Sequence, residues 1–370
     1  MSSENKKLVV HIARTSLAGA PIRIVNALNK YTDYNARLIT YLPSRAADGS
    51  CIYQEDLNWM NNKEEALNLI KQADIIHFHH WFEMRLNPFL IDFNEVCKPN
   101  CKFLRHFHSD KEYLEKGEVN FAKLYDSDVL PKVVIPHCPE RTFLDLPIVP
   151  NIFPINDEEY LPKETHNEKI KVLFSATSGA SMYVRRWNTK GYEQVSKLLK
   201  DLSEEYDFEY VEVKNKTFKE AMQLKRECDI VVGDIVTGSY HLTELEGLCQ
   251  GKPTLTWLDG RSVSTFMNVF KSPEVPFVNV NIDYIKDVLP EIVKNEALRK
   301  DLGKYSRYWI EKYYRDDVLI KKFEDVYSEL LTTGNLHKRE NSDEFAVAKE
   351  FLNNTLYDIN WMTRCKEQKY

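Results

Sequence analysis

The chain has 370 residues, of which 43% are apolar, 12% aromatic and 29% charged, and its formal net charge is −6. This length is sufficient for two domains, and the apolar and aromatic content excludes an intrinsically disordered chain. The acidic balance argues against a protein whose main task is to coat nucleic acid, although it leaves room for a local basic cleft.

The sequence indicates neither membrane insertion nor secretion. No apolar run approaches the ~20 residues of a transmembrane helix, and residues 1–10 lack the apolar core of a signal peptide. Seven cysteines are scattered along the chain, and the nearest pair, Cys97 and Cys101, lacks the second close pair that a zinc site needs. We therefore expect free thiols in the cytoplasm, with a peripheral membrane contact left open.

Strands and helices alternate through the first 150 residues. The predicted strands are 8–13, 36–41, 74–78, 102–106 and 132–135. The predicted helices are 21–30, 63–72 and 88–96, and the first begins at Pro21, where the missing N–H costs nothing. Such an alternation is typical of a parallel sheet that helices cover on both faces.

A linker with three prolines, residues 146–154, precedes a second alternation. The predicted strands are 170–176, 208–213, 229–232 and 254–257. The predicted helices are 190–205, 219–227, a helix that carries Glu244 and Glu246, 282–294, 296–312, 318–331 and, from its apolar spacing, 344–361. We therefore predict an α/β protein with doubly wound domains at 1–150 and 151–333 and a C-terminal helical segment at 334–370.

The loop after the first strand is the first candidate binding segment. Residues 14–23, RTSLAGAPIR, place Gly19 and Ala20 directly before a helix, a geometry that lets a phosphate or a substrate approach the backbone. Ligands of doubly wound sheets bind at the carboxyl ends of the strands, where this loop lies. An ordinary turn between a strand and a helix is the alternative.

Histidines cluster after two predicted strands: His77, His79 and His80 after one, and His106 and His108 after the other. Three histidines can bind a metal ion, but the spacing of these histidines places their side chains on alternating faces of the strands. We therefore expect no metal site. A histidine that donates a hydrogen bond to a sugar hydroxyl fits better. The sequence does not decide whether His106 or His108 faces a cleft, and structural histidines remain the alternative.

A basic loop follows the first strand of the second unit. It begins at Ser175, contains Arg185 and Arg186, and ends at Lys190 before a helix. Fixed cations stabilise the charge that builds up on a diphosphate leaving group. Arginine binds phosphate oxygens as a fork and lysine as a point charge, which makes this loop a candidate for that role. A solvated basic loop is the alternative.

The segment 231–259 joins a strand, the turn Gly238-Ser239-Tyr240 and a helix that carries two glutamates. The helix N-terminus offers free N–H groups to an anion. Glu246 lies about two turns into the helix, where its carboxylate can accept hydrogen bonds from a sugar diol. Glu244 lies on another face and is expected to be structural or solvated. A phosphate site beside a diol site is what a nucleotide sugar needs.

These motifs resemble those of GT-B glycosyltransferases of the retaining, nucleotide-sugar-dependent type (glycosyltransferase group 1, family 4-like). The resemblance covers roughly residues 8–331. It rests on the glycine loop, the histidines after the strands, an Arg…Lys-Gly pattern, and the turn at Gly238 followed by Glu246 and Gly251-Lys252-Pro253. It implies two Rossmann-like domains that face each other across a cleft, with segment 334–370 packing back onto the first domain.

The resemblance also implies roles for single residues. Glu246 would bind the ribose hydroxyls. Arg186 and Lys190 would bind the donor diphosphate, with Arg185 as a competitor. His106 or His108 would contact the transferred sugar. The other implied donor-site residues are Gly19, Ser175, Gly238, Ser239 and Tyr240. The implied acceptor-side residues are Arg14, Ala20, His79 and His80.

The sequence departs from the family pattern at two positions. The family often has two glutamates separated by seven residues, and Gly238 stands where the first of them would be. His241 replaces a second glycine of the turn. The first glutamate of the family approaches the donor sugar, and Asp234 or Thr237 is the candidate for part of its place.

The implied function is the transfer of a sugar from a nucleoside diphosphate sugar, UDP before GDP, to a hydroxyl of a glycan, a lipid-linked sugar or a modified nucleobase. No metal cofactor is expected, because arginine, lysine and a helix dipole would neutralise the diphosphate. The alternatives are a transferase that modifies hydroxylated bases of DNA, a nucleotide-sugar epimerase or hydrolase of the same fold, and a catalytically silent relative that binds nucleotide sugars.

Overall fold

The chain forms two parallel β-sheets in the computed structural model, which describes residues 6–45, 52–80, 82–109, 129–137, 143, 145–176, 190–213 and 216–339. The first sheet has the strand order β3-β2-β1-β4-β5-β6 and the second β11-β10-β9-β7-β8. In both, the order reverses beside the first strand, between β1 and β4 and between β7 and β9. Ligands of doubly wound sheets bind at such switch points.

The strands of the first sheet are β1 (Leu8–Ala13), β2 (Asn35–Thr40), β3 (Leu57–Asn58), β4 (Ile75–His79), β5 (Lys102–Phe107) and β6 (Lys132–Val134). Those of the second sheet are β7 (Ile170–Ser175), β8 (Phe208–Val213), β9 (Ile230–Val232), β10 (Thr254–Thr256) and β11 (Val278–Asn279). All six residues of β1 are buried, because helices cover both faces of the sheet.

The helices begin with α1 (Ala20–Tyr31), α2 (Lys63–Gln72) and α3 (Phe93–Val96) around the first sheet. The second half contributes α4 (Tyr192–Glu205), α5 (Phe218–Glu227), α6 (Leu242–Cys249), α7 (Gly260–Phe270), α8 (Ile285–Lys294) and α9 (Glu296–Tyr313). The short helix α10 (Asp316–Leu319) and α11 (Lys321–Thr333) end the described chain. None of the helices described here is both long and apolar enough to cross a membrane.

The last helices return to the first sheet. The Tyr31 hydroxyl of α1 donates a hydrogen bond of 3.0 Å to the Asp316 carboxylate of α10. The Tyr327 hydroxyl of α11 lies 2.7 Å from Nδ1 of His77 on β4. The return therefore begins within residues 316–333 and continues at Lys338, whose Nζ lies 2.8 Å from Oδ2 of Asp145. The sequence prediction placed it in 334–370, of which only 334–339 belong to the described residues.

Three elements were not predicted: β3, α7 and β11. The two strands have only two residues each, too few for a periodic pattern. The predicted helix 88–96 is wrong in its first half and begins at Phe93, because the Asp92 carboxylate accepts a hydrogen bond from the Asn94 N–H at 2.9 Å and caps the helix there. The predicted helix 318–331 is divided at Ile320 into α10 and α11.

Candidate active site

A cleft of about 750 Å³ lies at the carboxyl ends of both sheets. Its volume is within the range of ligand sites in proteins. The lining side chains that matter for its chemistry are Ala20, His108 and His137 from the first half and Ser175, Lys190, Lys225, His241 and Glu246 from the second. The predicted segments therefore converge on one site.

The glycine loop forms one edge of this cleft. Gly19 has a φ of +75°, and a β-carbon there would lie 2.8 Å from the Tyr53 ring and 2.9 Å from the Arg23 guanidinium. Glycine is favoured here, because any other residue would adopt a strained backbone conformation and displace these side chains. Ala20 lines the cleft, whereas Arg14 is exposed outside the described lining.

The two candidate histidines lie on the same face, with ring centroids 3.9 Å apart. His108 lines the cleft, and His106 lies behind it with no exposed surface. Neither ring nitrogen of His106 has a hydrogen-bond partner among the described residues. His79 and His80 are buried as well and lie outside the lining. The structure thus brings His108, and not His106, to the surface that a ligand would contact.

The histidines of this wall are neutral. Burial lowers the pKa of His108 well below its ordinary value, and it lowers the pKa of His137 to about 3 despite a hydrogen bond from His137 Nδ1 to the Tyr240 carbonyl. Two triads place one ring nitrogen of each member within 4.8 Å of the others, a geometry that a metal ion could use: His11–His77–His79 and His79–His106–His108.

Lys190 enters the cleft from the turn before α4. Its side chain is 2% exposed, and its Nζ lies 3.7 Å from Oε1 of Glu244. Glu244 is therefore the counter-charge of this buried ammonium. Ser175 at the end of β7 lines the same part of the cleft. Arg185 and Arg186 lie outside the described residues.

Glu244 holds the loop above the second sheet in place. It is fully buried, and its two carboxylate oxygens accept hydrogen bonds from the backbone N–H groups of Asp234, at 2.6 Å, and His241, at 3.1 Å. Burial alone raises the pKa of this carboxyl, but the charges of Lys190 and His241 outweigh it, so the pKa lies below its ordinary value. Glu244 therefore has a structural role as an ionised anchor.

Glu246 and Lys225 form a second buried ion pair, on the cleft surface. The Lys225 ammonium donates to Oε2 of Glu246, and the side chains are 5% and 6% exposed. The bond fixes the carboxylate through one oxygen, and both residues line the cleft. Lys225 was not predicted from the sequence. Its one signal in the sequence is the spacing of three residues from Met222, which places both side chains on the buried face of α5.

The turn at Gly238 lies behind the cleft. Ser239 and Tyr240 have no exposed surface, and the Tyr240 ring stacks on His137 with centroids 4.2 Å apart. None of Gly238, Ser239 and Tyr240 belongs to the described lining. Their contribution to a site is to shape the loop, since Tyr240 supports a histidine that faces the cleft.

Asp234 orients His241, which replaces a glycine of the family pattern. Asp234 is fully buried, and its carboxylate lies 3.1 Å from Nε2 of His241 and accepts backbone N–H bonds from Val236 and Thr237. Burial raises the pKa of Asp234, but the bonds from His241 and Thr237 outweigh this effect and hold the pKa below its ordinary value. His241 lines the cleft as an imidazole held by a buried carboxylate.

Solved structures share this architecture at low sequence identity. A glycosyltransferase from Rickettsia africae aligns with a TM-score of 0.54 at 12% identity, over 89% of this chain and 100% of its own. An α-glucosyltransferase in complex with UDP and a 13-mer DNA aligns with a TM-score of 0.54 at 10% identity, over 87% and 99%. HepE from Anabaena in complex with UDP aligns with a TM-score of 0.54 at 10% identity, over 88% and 100%.

No protein-family model and no curated protein matches the sequence. Likeness at such low identity shows the fold: the chain has the GT-B fold, with two Rossmann-like units, as the sequence predicted. Function has to be argued from the site itself.

Proposed function

We propose that this chain is a glycosyltransferase that moves a sugar from a nucleoside diphosphate sugar to an acceptor hydroxyl. One observation carries the proposal: the cleft at both switch points holds a fixed carboxylate, Glu246, and a buried ammonium, Lys190, on the same wall. Such a wall offers an acceptor for a diol and a cation for a diphosphate within one site.

The donor would bind along the second sheet. Lys225 occupies Oε2 of Glu246, so Oε1 is the oxygen that the ribose hydroxyls would use. Lys190, with Arg186 or Arg185 from the loop before it, would hold the diphosphate. The loop at Gly19 and the hydroxyl of Ser175 would offer backbone and side-chain donors to the phosphates. UDP is proposed before GDP, and the HepE and α-glucosyltransferase structures that share the fold contain UDP.

The reaction would proceed with retention of the anomeric configuration. The bond between the anomeric carbon and the β-phosphate oxygen breaks, and the acceptor oxygen forms a new bond to the same carbon. The acceptor proton passes to the departing phosphate oxygen, and the nucleoside diphosphate leaves. Lys190 stabilises the negative charge that grows on this oxygen, and the neutral His108 contacts a hydroxyl of the transferred sugar.

The proposed location is the cytoplasm. Four buried cysteines, Cys97, Cys101, Cys228 and Cys249, are free thiols, as expected in a reducing compartment.

Calorimetric titration with UDP, GDP, ADP and CMP tests the donor site. We expect UDP to bind, and Glu246→Gln to weaken its binding on the order of tenfold to a hundredfold, because hydrogen bonds to a charged acceptor are lost. Glu204→Gln, on the exposed end of α4, is the matched control and should bind UDP like the wild type. Unchanged affinity and turnover in Glu246→Gln would refute the donor site.

Two further outcomes identify the other readings. Binding of no nucleotide by the wild type would favour a silent relative. Consumption of a UDP-sugar at the same rate with and without acceptor would favour a hydrolase or an epimerase.

A hydroxylated base in DNA is the second candidate acceptor. The α-glucosyltransferase that shares the fold was solved in complex with a 13-mer DNA containing a central A:G mismatch. The net charge of −6 means that a basic groove would have to be local. Binding to duplex DNA that weakens steeply between 50 and 200 mM salt, roughly as counterion release requires, would support this acceptor. Failure to bind duplex at low salt would remove it.

A further inference from the structure

Five buried histidines lie together near the carboxyl ends of β1, β4 and β5. We call them the histidine array: His11, His77, His79, His106 and His108. Neighbouring rings have centroids between 3.9 and 5.5 Å apart. Only His108 reaches the cleft.

Four of the five histidines and one tyrosine form a continuous chain of hydrogen bonds. From the cleft inward, His108 Nε2 lies 2.8 Å from His79 Nδ1, and His79 Nε2 lies 2.9 Å from His11 Nδ1. His11 Nε2 lies 3.3 Å from the Tyr327 hydroxyl, which lies 2.7 Å from His77 Nδ1. We call this series the imidazole chain. It connects the cleft to α11, the helix that returns from the second half of the molecule.

Every imidazole in the chain is neutral, because burial lowers the pKa of each, that of His11 to about 3. A neutral imidazole has one N–H donor and one acceptor nitrogen. Each link needs one proton, so the direction of one link fixes the direction of the next. His11, His79 and His108 must therefore carry their protons on the same kind of nitrogen.

The two contacts of Tyr327 set the direction. A separation of 2.7 Å is the usual distance for an O–H donor, whereas 3.3 Å is well beyond the usual range of an O–H donor and just beyond that of an N–H donor. This pair of distances favours a hydroxyl that donates to His77 and accepts from Nε2–H of His11. Whichever way the chain runs, Nε2 of His77 has no hydrogen-bond partner among the described residues. The cost of burying this nitrogen therefore does not favour one direction over the other.

We propose that Tyr327 sets the tautomer of His108 through the imidazole chain, so that His108 keeps its proton on Nε2 and presents an unprotonated Nδ1 to the cleft. Nδ1 is then an acceptor for a hydroxyl proton of the sugar or of the acceptor molecule. This last assignment rests on the proposed function, whereas the tautomer does not. Tyr327, His11 and His79 are positioning residues, since they act on a ligand only through His108.

Nitrogen-15 NMR of the histidine rings in the full chain, without nucleotide, tests the tautomers. We expect the Nε2–H form for His11, His79 and His108, and no change of these signals between pH 8 and 6.5. Tyr327→Phe removes the acceptor for His11 and should turn the His108 signal into a mixture of tautomers. Tyr34→Phe is the control, because the Tyr34 ring packs edge-on against Tyr327 with no bond to the chain among the described residues.

Transfer kinetics give the second readout. In Tyr327→Phe, kcat should fall about tenfold, the worth of one misdirected hydrogen bond, while the dissociation constant of UDP stays within twofold of the wild-type value. A loss of UDP affinity equal to the loss of kcat would indicate a merely structural role and overturn the proposal.

Three other results would overturn it. The first two are an Nδ1–H form of His108 in the wild type and mixed tautomers of His11 and His79. The third is stoichiometric zinc bound to the histidine array, because a cation would take the nitrogen lone pairs that the imidazole chain uses. The wild-type spectrum decides these points even if Tyr327→Phe fails to fold. Failure of the wild type to bind UDP would refute the proposed function and leave the tautomer of His108 as measured.

Discussion

The two walls of the cleft hold polar groups away from water in opposite ways. The wall of the first sheet contains seven buried histidines that burial keeps neutral: His11, His77, His79, His80, His106, His108 and His137. The wall of the second sheet contains charged side chains in pairs, Lys190 with Glu244 and Lys225 with Glu246, together with Asp234, whose carboxylate lies 3.1 Å from Nε2 of His241.

In the proposed reaction, this difference would suit the two walls to different parts of the substrates. A buried group either becomes neutral or finds a counter-charge, since an isolated buried charge is too costly. Neutral imidazoles exchange hydrogen bonds with neutral hydroxyls without a change of charge. Ion pairs keep cations in place where a diphosphate can share them. The walls should therefore also lose stability under different conditions.

The largest expected effect is the loss of stability of the first wall in mild acid. The folded chain does not protonate these histidines near pH 6, whereas the unfolded chain does at its ordinary pKa of about 6.5. The free energy of unfolding is therefore not reduced by these histidines above about pH 6.5. It falls as the pH decreases from there toward the folded pKa, which is about 3 for His11, His80 and His137. Each histidine contributes up to about 1.4 kcal/mol per pH unit.

Urea unfolding at several pH values between 8 and 5 measures this slope. His106→Leu should reduce the slope by the contribution of one histidine. It breaks no link of the imidazole chain, because His106 takes no part in that chain. His166→Asn, at an exposed position, should have the same slope as the wild type. A free energy of unfolding that is constant from pH 8 to 5 would contradict the neutral wall.

The second wall should fail when one partner of a pair is removed. Glu244→Gln leaves the Lys190 ammonium buried without its counter-charge, and we expect a loss of about 3–5 kcal/mol in the free energy of unfolding. Denaturant unfolding at pH 7.5 is the measurement, with Glu204→Gln as an exposed control that should show no measurable change. A loss below about 1 kcal/mol would mean that Glu244 does not anchor the wall as an ion.

In acid, the carboxylates of this wall fail later than the histidines. The pKa of Glu244 and that of Asp234 are held below their ordinary values, so their contribution is present above about pH 4 and lost as the pH falls through the folded pKa.

The fold could be predicted from the sequence because its signals are local. Runs such as Leu8–Ala13, which is apolar except for His11, and helices bounded by proline or glycine need no tertiary information. Helix α7 escaped prediction because serines and a β-branched run, RSVST, have weak helix propensity. The Asp259 cap and the packing of Phe266 on Trp309, with centroids 5.1 Å apart, stabilise it.

The site was predictable only in part, since a side chain's partner is a tertiary property. The sequence named Glu246 and Lys190 but did not show that both are held in ion pairs. It left His106 and His108 equivalent, because side chains two residues apart in an extended chain share a face whatever their depth. Lys225 looked like any charged residue on an amphipathic helix. Only its pairing with Glu246 across elements makes it part of the site.

A double-mutant cycle on Lys225 and Glu246 measures the pair that the sequence missed. We expect Lys225→Met and Glu246→Gln to lose less together than the sum of their separate losses in unfolding free energy, with a coupling of about 0.5–3 kcal/mol. The pair lies on the cleft surface, so its effect should be smaller than that of Glu244. Lys197→Met, which breaks an exposed pair with Asp201, should leave stability unchanged. Additive losses would show that the two side chains do not interact.

The smallest expected effect concerns the position where the family often has a glutamate. Gly238 has a φ of +78°, and a β-carbon there would lie 3.1 Å from Oδ2 of Asp259. Gly238→Ala should therefore destabilise the chain by about 1–2 kcal/mol in denaturant unfolding. Gly260→Ala, at the first position of α7, is the control and should be neutral or slightly stabilising, because its φ is not positive. If Gly238→Ala is also neutral, the backbone does not require glycine at this position. A glutamate at position 238 would then be compatible with the fold, and its absence would reflect the chemistry of the site.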